Sequence, residues 1–144
     1  MPQLNIQKFC AKEQLDCLNY EFAKSVLVFT ILHNIGKMIL GIDTAKPKET
    51  RVYLKNQKGE IVKILTEIRK PGSQVLLPQI LKILKSKNLG FDNLTGVEVK
   101  TGPGSFTGLR VGVAVANALG FSLGIPVNGR RPDKGRIVVP RYDS

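Results

Sequence analysis

Apolar and polar positions along this chain fall into blocks whose periodicity changes from two to 3.6, and the blocks define its elements. Met38-Ile-Leu-Gly-Ile-Asp-Thr-Ala45 runs leucine and β-branched residues together and then stops at an aspartate and small polar residues, the pattern of a buried strand ending in a turn. Arg51 to Lys55 and Glu60 to Ile68 read as two further strands, and Asn56-Gln57-Lys58-Gly59 between them as a hairpin loop with glycine available for φ > 0. Lys70-Pro71-Gly72-Ser73 punctuates the chain. Ser73 is placed to cap a helix over 73–87 in which Leu77, Ile80, Leu81 and Leu84 share one face, with Lys82, Lys85 and Lys87 toward its negative end. Pro78 predicts a bend, because an interior proline costs about 3 kcal/mol unless it falls within the first turn. Leu94 to Lys100 is another short strand, broken by the glycine-rich stretch Thr101 to Gly108. From Leu109 to Leu123 the chain is helix-length and apolar or small throughout, with Arg110 as its one charge, so it should be buried on more than one side. Val111 and Val115 are expected to face the sheet. Gly112, Ala116 and Gly120 form a small-residue stripe that packs either on the helix 73–87 or on a partner. Ile125-Pro126-Val127 gives a last strand, Arg130 to Arg136 a basic turn-rich segment, and Ile137 to Val139 a second short run. The fold class is therefore α/β, with the order βββαβαβ.

Length and charge narrow this picture. A chain of 144 residues allows one domain of ordinary size. Its 22 basic against 11 acidic residues give a net charge of +11, a balance that favours anionic partners. That charge sits downstream of Met38, where the composition changes. Residues 1–37 hold both cysteines, Cys10 and Cys17, and the one histidine, His33. They form either an amino-terminal extension or the product of a start assigned too early, leaving 38–144 as the domain with a basic tail. Two cysteines make no paired metal-ligand set, and a reduced, cytoplasmic setting is the plain reading. The apolar run Val26 to Leu32 is far shorter than the roughly 20 residues of a bilayer span, and Glu13, Asp16 and Glu21 before it argue against a signal peptide.

The glycine-rich segment fits none of the common anion or nucleophile motifs. It lacks the Gly-Lys-Ser/Thr ending of a P-loop, the glycine at the sixth position of a dinucleotide fingerprint, where Thr107 stands, and the spacing of a nucleophile elbow. What remains is a strand, a tight Gly-Pro-Gly turn and a helix start. Such an end either holds an anion or is a structural turn in which Ser105 or Thr107 caps the helix.

Met38 to Ala45, together with Thr-Gly-Pro-Gly-Ser-Phe-Thr-Gly-Leu-Arg-Val-Gly over 101–112, closely resembles the TsaB (YeaZ) family, and Leu77-Pro78 looks like that family's own. The resemblance runs from Met38 to about Val127. It implies a single lobe of the actin, Hsp70 and sugar-kinase (ribonuclease H-like) fold, with the family's second lobe missing. It also implies a non-catalytic scaffold subunit in the synthesis of tRNA threonylcarbamoyladenosine, bound to a TsaD-like catalytic subunit, with a TsaE-like P-loop ATPase in the same assembly. Contact with tRNA is then indirect, self-association is open, and neither cofactor nor membrane is implied. The interface implied for the catalytic partner takes Leu77 and Leu81 from the first helix and Leu109, Gly112, Val113, Ala116, Asn117 and Gly120 from the second.

Catalytic groups are scarce in the family-like region. Its lack of histidine removes any Ser-His or Cys-His pair, so a protease is not expected despite the glycoprotease label such sequences attract. Where the TsaD family carries a His-rich metal motif, this chain reads Ile125-Pro-Val-Asn-Gly-Arg-Arg131, which holds no ligand set. Asp43, Gly102, Gly104, Ser105 and Thr107 form a candidate residual nucleotide or anion site, with Asp43 as a turn cap the alternative. Arg130, Arg131, Lys134 and Arg136 are candidate tRNA contacts, with solvated loop charges the alternative, since no aromatic residue interleaves to stack on bases. A free-standing basic RNA-binding domain is the second function these features allow.

Overall fold

The computed structural model describes residues 36–68 and 74–142, together with Lys24 and Ser25. The chain divides into two units between Gly36 and Lys37, and the sheet and the two long helices all belong to the second. The expectations placed on Cys10, Cys17, the run 26–32, His33 and the cap Ser73 lie outside the described residues.

Four strands form one mixed sheet in the order β3-β2-β1-β4, where β1 is Met38–Asp43, β2 Glu49–Lys55, β3 Ile61–Ile68 and β4 Leu94–Val99. The meander is antiparallel, with Leu40 opposite Leu54 and Val52 opposite Leu65. Its hairpin loop closes as expected: Asn56 Oδ1 accepts the N–H groups of Lys58 and Glu60, and Gly59 takes φ 85°. β4 joins β1 in parallel, Leu40 beside Val97 and Ile42 beside Val99. One set of alternate side chains, Leu40, Ile42, Val52, Leu54, Val97 and Val99, makes the core with both helices. The opposite face carries Gly41, Tyr53, Lys55, Gly96 and Glu98, and no described helix packs on it.

Helix α1, Leu76–Lys85, starts later than the sequence indicates and has no side-chain cap. Pro78 therefore sits in the first turn, where its missing N–H would have no intrahelical partner, and the expected bend is not required. The buried stripe is Leu76, Gln79, Ile80, Ile83 and Leu84, shifted from the predicted one, so Leu77 and Leu81 face outward. Gln79 was not expected in the core. It is fully buried, and its Nε2 donates to the carbonyls of Thr50 (2.9 Å) and Leu65 (2.8 Å), tying α1 to the meander.

Helix α2, Phe106–Leu123, is capped by Ser105 and ends at Gly124 in the left-handed region. By length and composition alone it is the one described helix able to cross a membrane. A core helix passes the same test, and one side of α2, Leu109, Gly112, Val113, Ala116 and Gly120, is buried in this unit. Val111, expected against the sheet, is exposed instead. The strand expected at Ile125–Val127 shrinks to a single parallel bridge between Val127 and Val97. The reason is local: Pro126 O and Asn128 N–H pair with Val97 (both 2.9 Å), but Pro126 has no N–H to extend the ladder backward and the chain turns away at Asn128, φ 46°. Ile137–Val139 is likewise not a strand. Val138 alone is buried, held by the Asn117 side chain.

Candidate functional site

The end of β1 and the start of α2 are built as one unit. Asp43 Oδ1 accepts the N–H of Ala45 (3.1 Å), the turn-capping role available to it. Thr44, fully buried, donates from Oγ1 to the carbonyl of Gly108 (2.7 Å). Ser105 N–H donates to Ala45 O (2.6 Å) while Ser105 Oγ accepts from Gly108 N–H (3.3 Å), so Ser105 is the cap that the sequence allowed. Gly104 lies against Ala45, where a Cβ would stand 2.6 Å from the alanine methyl, and its φ of 159° adds to the demand for glycine. Gly102, after which the peptide is cis to Pro103, backs onto the carbonyl of Arg141. Asp43, Gly104 and Ser105 are thus brought together and Gly102 joins them through the same loop, whereas Thr107 is exposed with no hydrogen bond to this cluster.

On the open face of the sheet this cluster borders a groove of about 790 Å³ lined by Asp43, Tyr53, Glu98, Lys100 and Asn128, among others. The second carboxylate there is already engaged: Lys55 Nζ lies 2.5 Å from Glu98 Oε2, and Tyr53 Oη donates to the same oxygen at 3.4 Å. Burial, reinforced by the Glu98 charge, pushes the Tyr53 phenol above its ordinary value near 10. Asn128, with φ 46°, was missed by the sequence reading. Its amide accepts from Val99 N–H (2.9 Å) and donates to Val99 O (2.8 Å), substituting for a strand neighbour at the end of β4. The Asn128-Gly129 pair was the available signal, since asparagine and glycine are the residues that take φ > 0 in turns. Among the described residues no group of three or more His, Cys, Asp or Glu is placed to hold a metal ion.

The expected partner interface needs correction. Leu109, Gly112, Val113, Ala116 and Gly120 are core, so none of them can meet another protein. Gly112 is packed so tightly on Thr44 that a Cβ would collide with Oγ1, and Gly120 stands against Val127, Ile125 and Pro132. The stripe serves a close approach as read, but to this chain's own β1 end and 125–132 segment rather than to α1 or to another protein. Asn117 is likewise spent on Val138, donating to its carbonyl at 2.8 Å and accepting its N–H at 3.0 Å. Only Leu77 and Leu81 of the expected set lie open. The exposed side of α2 is instead Val111 and Phe121.

In the basic tail, Arg131 is bound to Asp133 through two hydrogen bonds of 3.0 and 2.8 Å, which hold the Asp133 carboxyl below its ordinary range. Arg130, Lys134 and Arg136 are exposed. Arg130 and Arg141 both line a smaller cavity of about 360 Å³ beside Thr101 and Asn128.

The class defined by this geometry is a single α/β lobe of the actin-like, ribonuclease H-like kind: a mixed sheet in 3-2-1-4 order with both helices on one face. A model of the family described as TsaD, tRNA N6-adenosine threonylcarbamoyltransferase, matches residues 66–129. An uncharacterized protein of Mycobacterium tuberculosis is 38% identical over 92 residues, covering 63% of this chain and 44% of its own length. The Bacillus subtilis protein named tRNA threonylcarbamoyladenosine biosynthesis protein TsaB is 32% identical over 90 residues, covering 62% of this chain and 39% of its own. The solved structure of YeaZ from Pseudomonas aeruginosa superimposes with a TM-score of 0.56 at 28% identity, over 62% of this chain and 42% of that one. The resemblance to the TsaB (YeaZ) family is thereby borne out in sequence and in fold. The chain spans about two-fifths of the length of the relatives it matches.

Proposed function

We propose that this chain serves tRNA threonylcarbamoyladenosine synthesis as a non-catalytic subunit that docks a TsaD-like catalytic protein. The observation that carries the reading is the apolar outer side of the two helices, within a lobe matched to relatives named for this pathway. Leu77 and Leu81 of α1 are 49% and 40% exposed, and Val111 and Phe121 of α2 are 43% and 65% exposed. Leu77 and Leu81 stand one turn apart on α1, so their open side chains adjoin as in the apolar patches that mediate protein contacts. The lack of histidine in the family-matched span and the commitment of Asp43 to the Ala45 turn support a scaffold over an enzyme. A TsaE-like P-loop ATPase belongs to the same assembly on this reading, the setting is cytoplasmic, and residues 1–37 are not needed by the scaffold.

Size-exclusion chromatography with the TsaD-like protein, without RNA, tests it. Co-elution is expected, together with its loss in Leu81→Asp and Phe121→Asp variants that melt like the parent chain. Failure of the parent chain to co-elute overturns the reading.

A further inference from the structure

The sequence reading found no aromatic residues among the basic ones, but the fold supplies them. Tyr142, next to Arg141 near the end of the described chain, stacks on Phe106 at the start of α2 with ring centroids 4.4 Å apart and planes at 33°. The Arg110 guanidinium lies over the Phe106 ring, 4.9 Å from its centroid. Both rings remain open, Phe106 at 55% and Tyr142 at 44% exposure. The loop next to them leads to the cavity lined by Thr101, Asn128, Arg130 and Arg141. Within residues 100–144 the chain has seven cations and two carboxylates, Asp143 and Asp133, the latter neutralised by Arg131. Arg110 over the Phe106 ring and Arg141 next to Tyr142 thus put two guanidinium groups at the half-open rings, with Arg130 in the adjoining cavity.

We propose that Phe106 and Tyr142, with Arg110 and the Arg130–Arg141 cavity, bind single-stranded nucleic acid, the rings stacking on bases and the guanidinium groups taking phosphates. The proposal goes beyond the docking of a catalytic protein and does not rest on it. An acidic protein face would answer the charge but has no use for flat, half-open rings within it. A duplex would answer the charge as well, but it keeps its bases stacked on one another and offers none to these rings. Arg131, an expected contact, is paired with Asp133 and is left out of the proposed surface.

Fluorescence anisotropy of the full chain with labelled oligo-uridine and oligo-thymidine tests this, with heparin and poly-glutamate as anions that lack bases. The oligonucleotides are expected to bind at low salt. Phe106→Leu and Tyr142→Leu should each weaken them about tenfold and leave heparin binding unchanged. Arg130→Gln and Arg141→Gln should each flatten the dependence of log affinity on log salt by about 0.7. The idea is overturned if the parent chain binds no oligonucleotide, if the leucine variants bind it undiminished, or if heparin or poly-glutamate binding falls in step with it. Should Phe106→Leu melt early, Tyr142→Leu decides alone, since it sits beyond the last element.

Discussion

Thr44 shows how much one small residue can fix. Its hydroxyl closes the gap between β1 and α2 by donating to Gly108 O, and its side chain fills the space that Gly112 leaves open. Thr44→Val keeps the shape and removes the donor; the Gly108 carbonyl keeps its place in the helix ladder and loses only this second bond, at a cost of about 0.5–1.5 kcal/mol. Chemical denaturation should show a lower midpoint with an unchanged slope. Tyr53 carries a pH effect whose sign is fixed by its surroundings. Because its folded-state pKa is raised above the unfolded value near 10, the protonated phenol favours the fold below that value. This contribution fades as pH rises through the folded value. Absorbance titration should place Tyr53 above pH 10, and Glu98→Gln should bring it back toward 10 by removing the neighbouring charge. Neither role was legible in the sequence, where Thr44 read as turn punctuation and Tyr53 as one alternate residue of a strand. Both depend on partners 45 or more residues away.

The helices show where periodicity succeeds and where it stops. A pattern at 3.6 residues identified α1 and α2, and the capping chemistry of Ser105 followed from its position before an apolar run. Which side of each helix is buried did not follow. In α1 the leucine and isoleucine positions form one broad side of the helix, and the buried arc is turned off its centre to take in Gln79, whose two hydrogen bonds tie it to the meander. Gln79→Leu should destabilise the fold by about 1–3 kcal/mol through the loss of those donors, read as a lower melting temperature. In α2 Val113 and the small residues, rather than Val111, face inward, because β1 and the 125–132 segment approach too closely at Gly112 and Gly120 for anything larger. Ala116→Leu should therefore cost the isolated chain about 1–3 kcal/mol by overpacking, visible in its own melting before any partner is added.

At the scale of the whole molecule, the element order through α2 and the fold class were legible because the turn residues between elements are explicit. The last strand was not, because a proline and an Asn-Gly turn end it after one bridge. The basic patch was not legible either, because Phe106 and Tyr142 are 36 positions apart and meet only when the tail crosses the glycine-rich loop. The segment 38–144 expressed alone should melt like the full chain, and loss of its cooperative transition would show residues 1–37 to be part of the fold. A highly purified sample should not turn over ATP; turnover abolished by Asp43→Ala would make that carboxylate catalytic.

The parallel pairing of β1 with β4 also dictates an order of assembly. The meander joins neighbours in sequence, so its hairpins close over short loops, while β4 reaches β1 only after more than 50 residues have been gathered. Closing that longer loop carries the larger entropic cost and is the slower event. The meander is thus ready before the strand that completes the sheet's other edge. Because the loop at the start of α2 is tied to β1 through Thr44 and Ala45, the rings of Phe106 and Tyr142 reach their places only in that last event. A chain stopped halfway through folding would hold its hairpins and none of its charged, ring-bearing end.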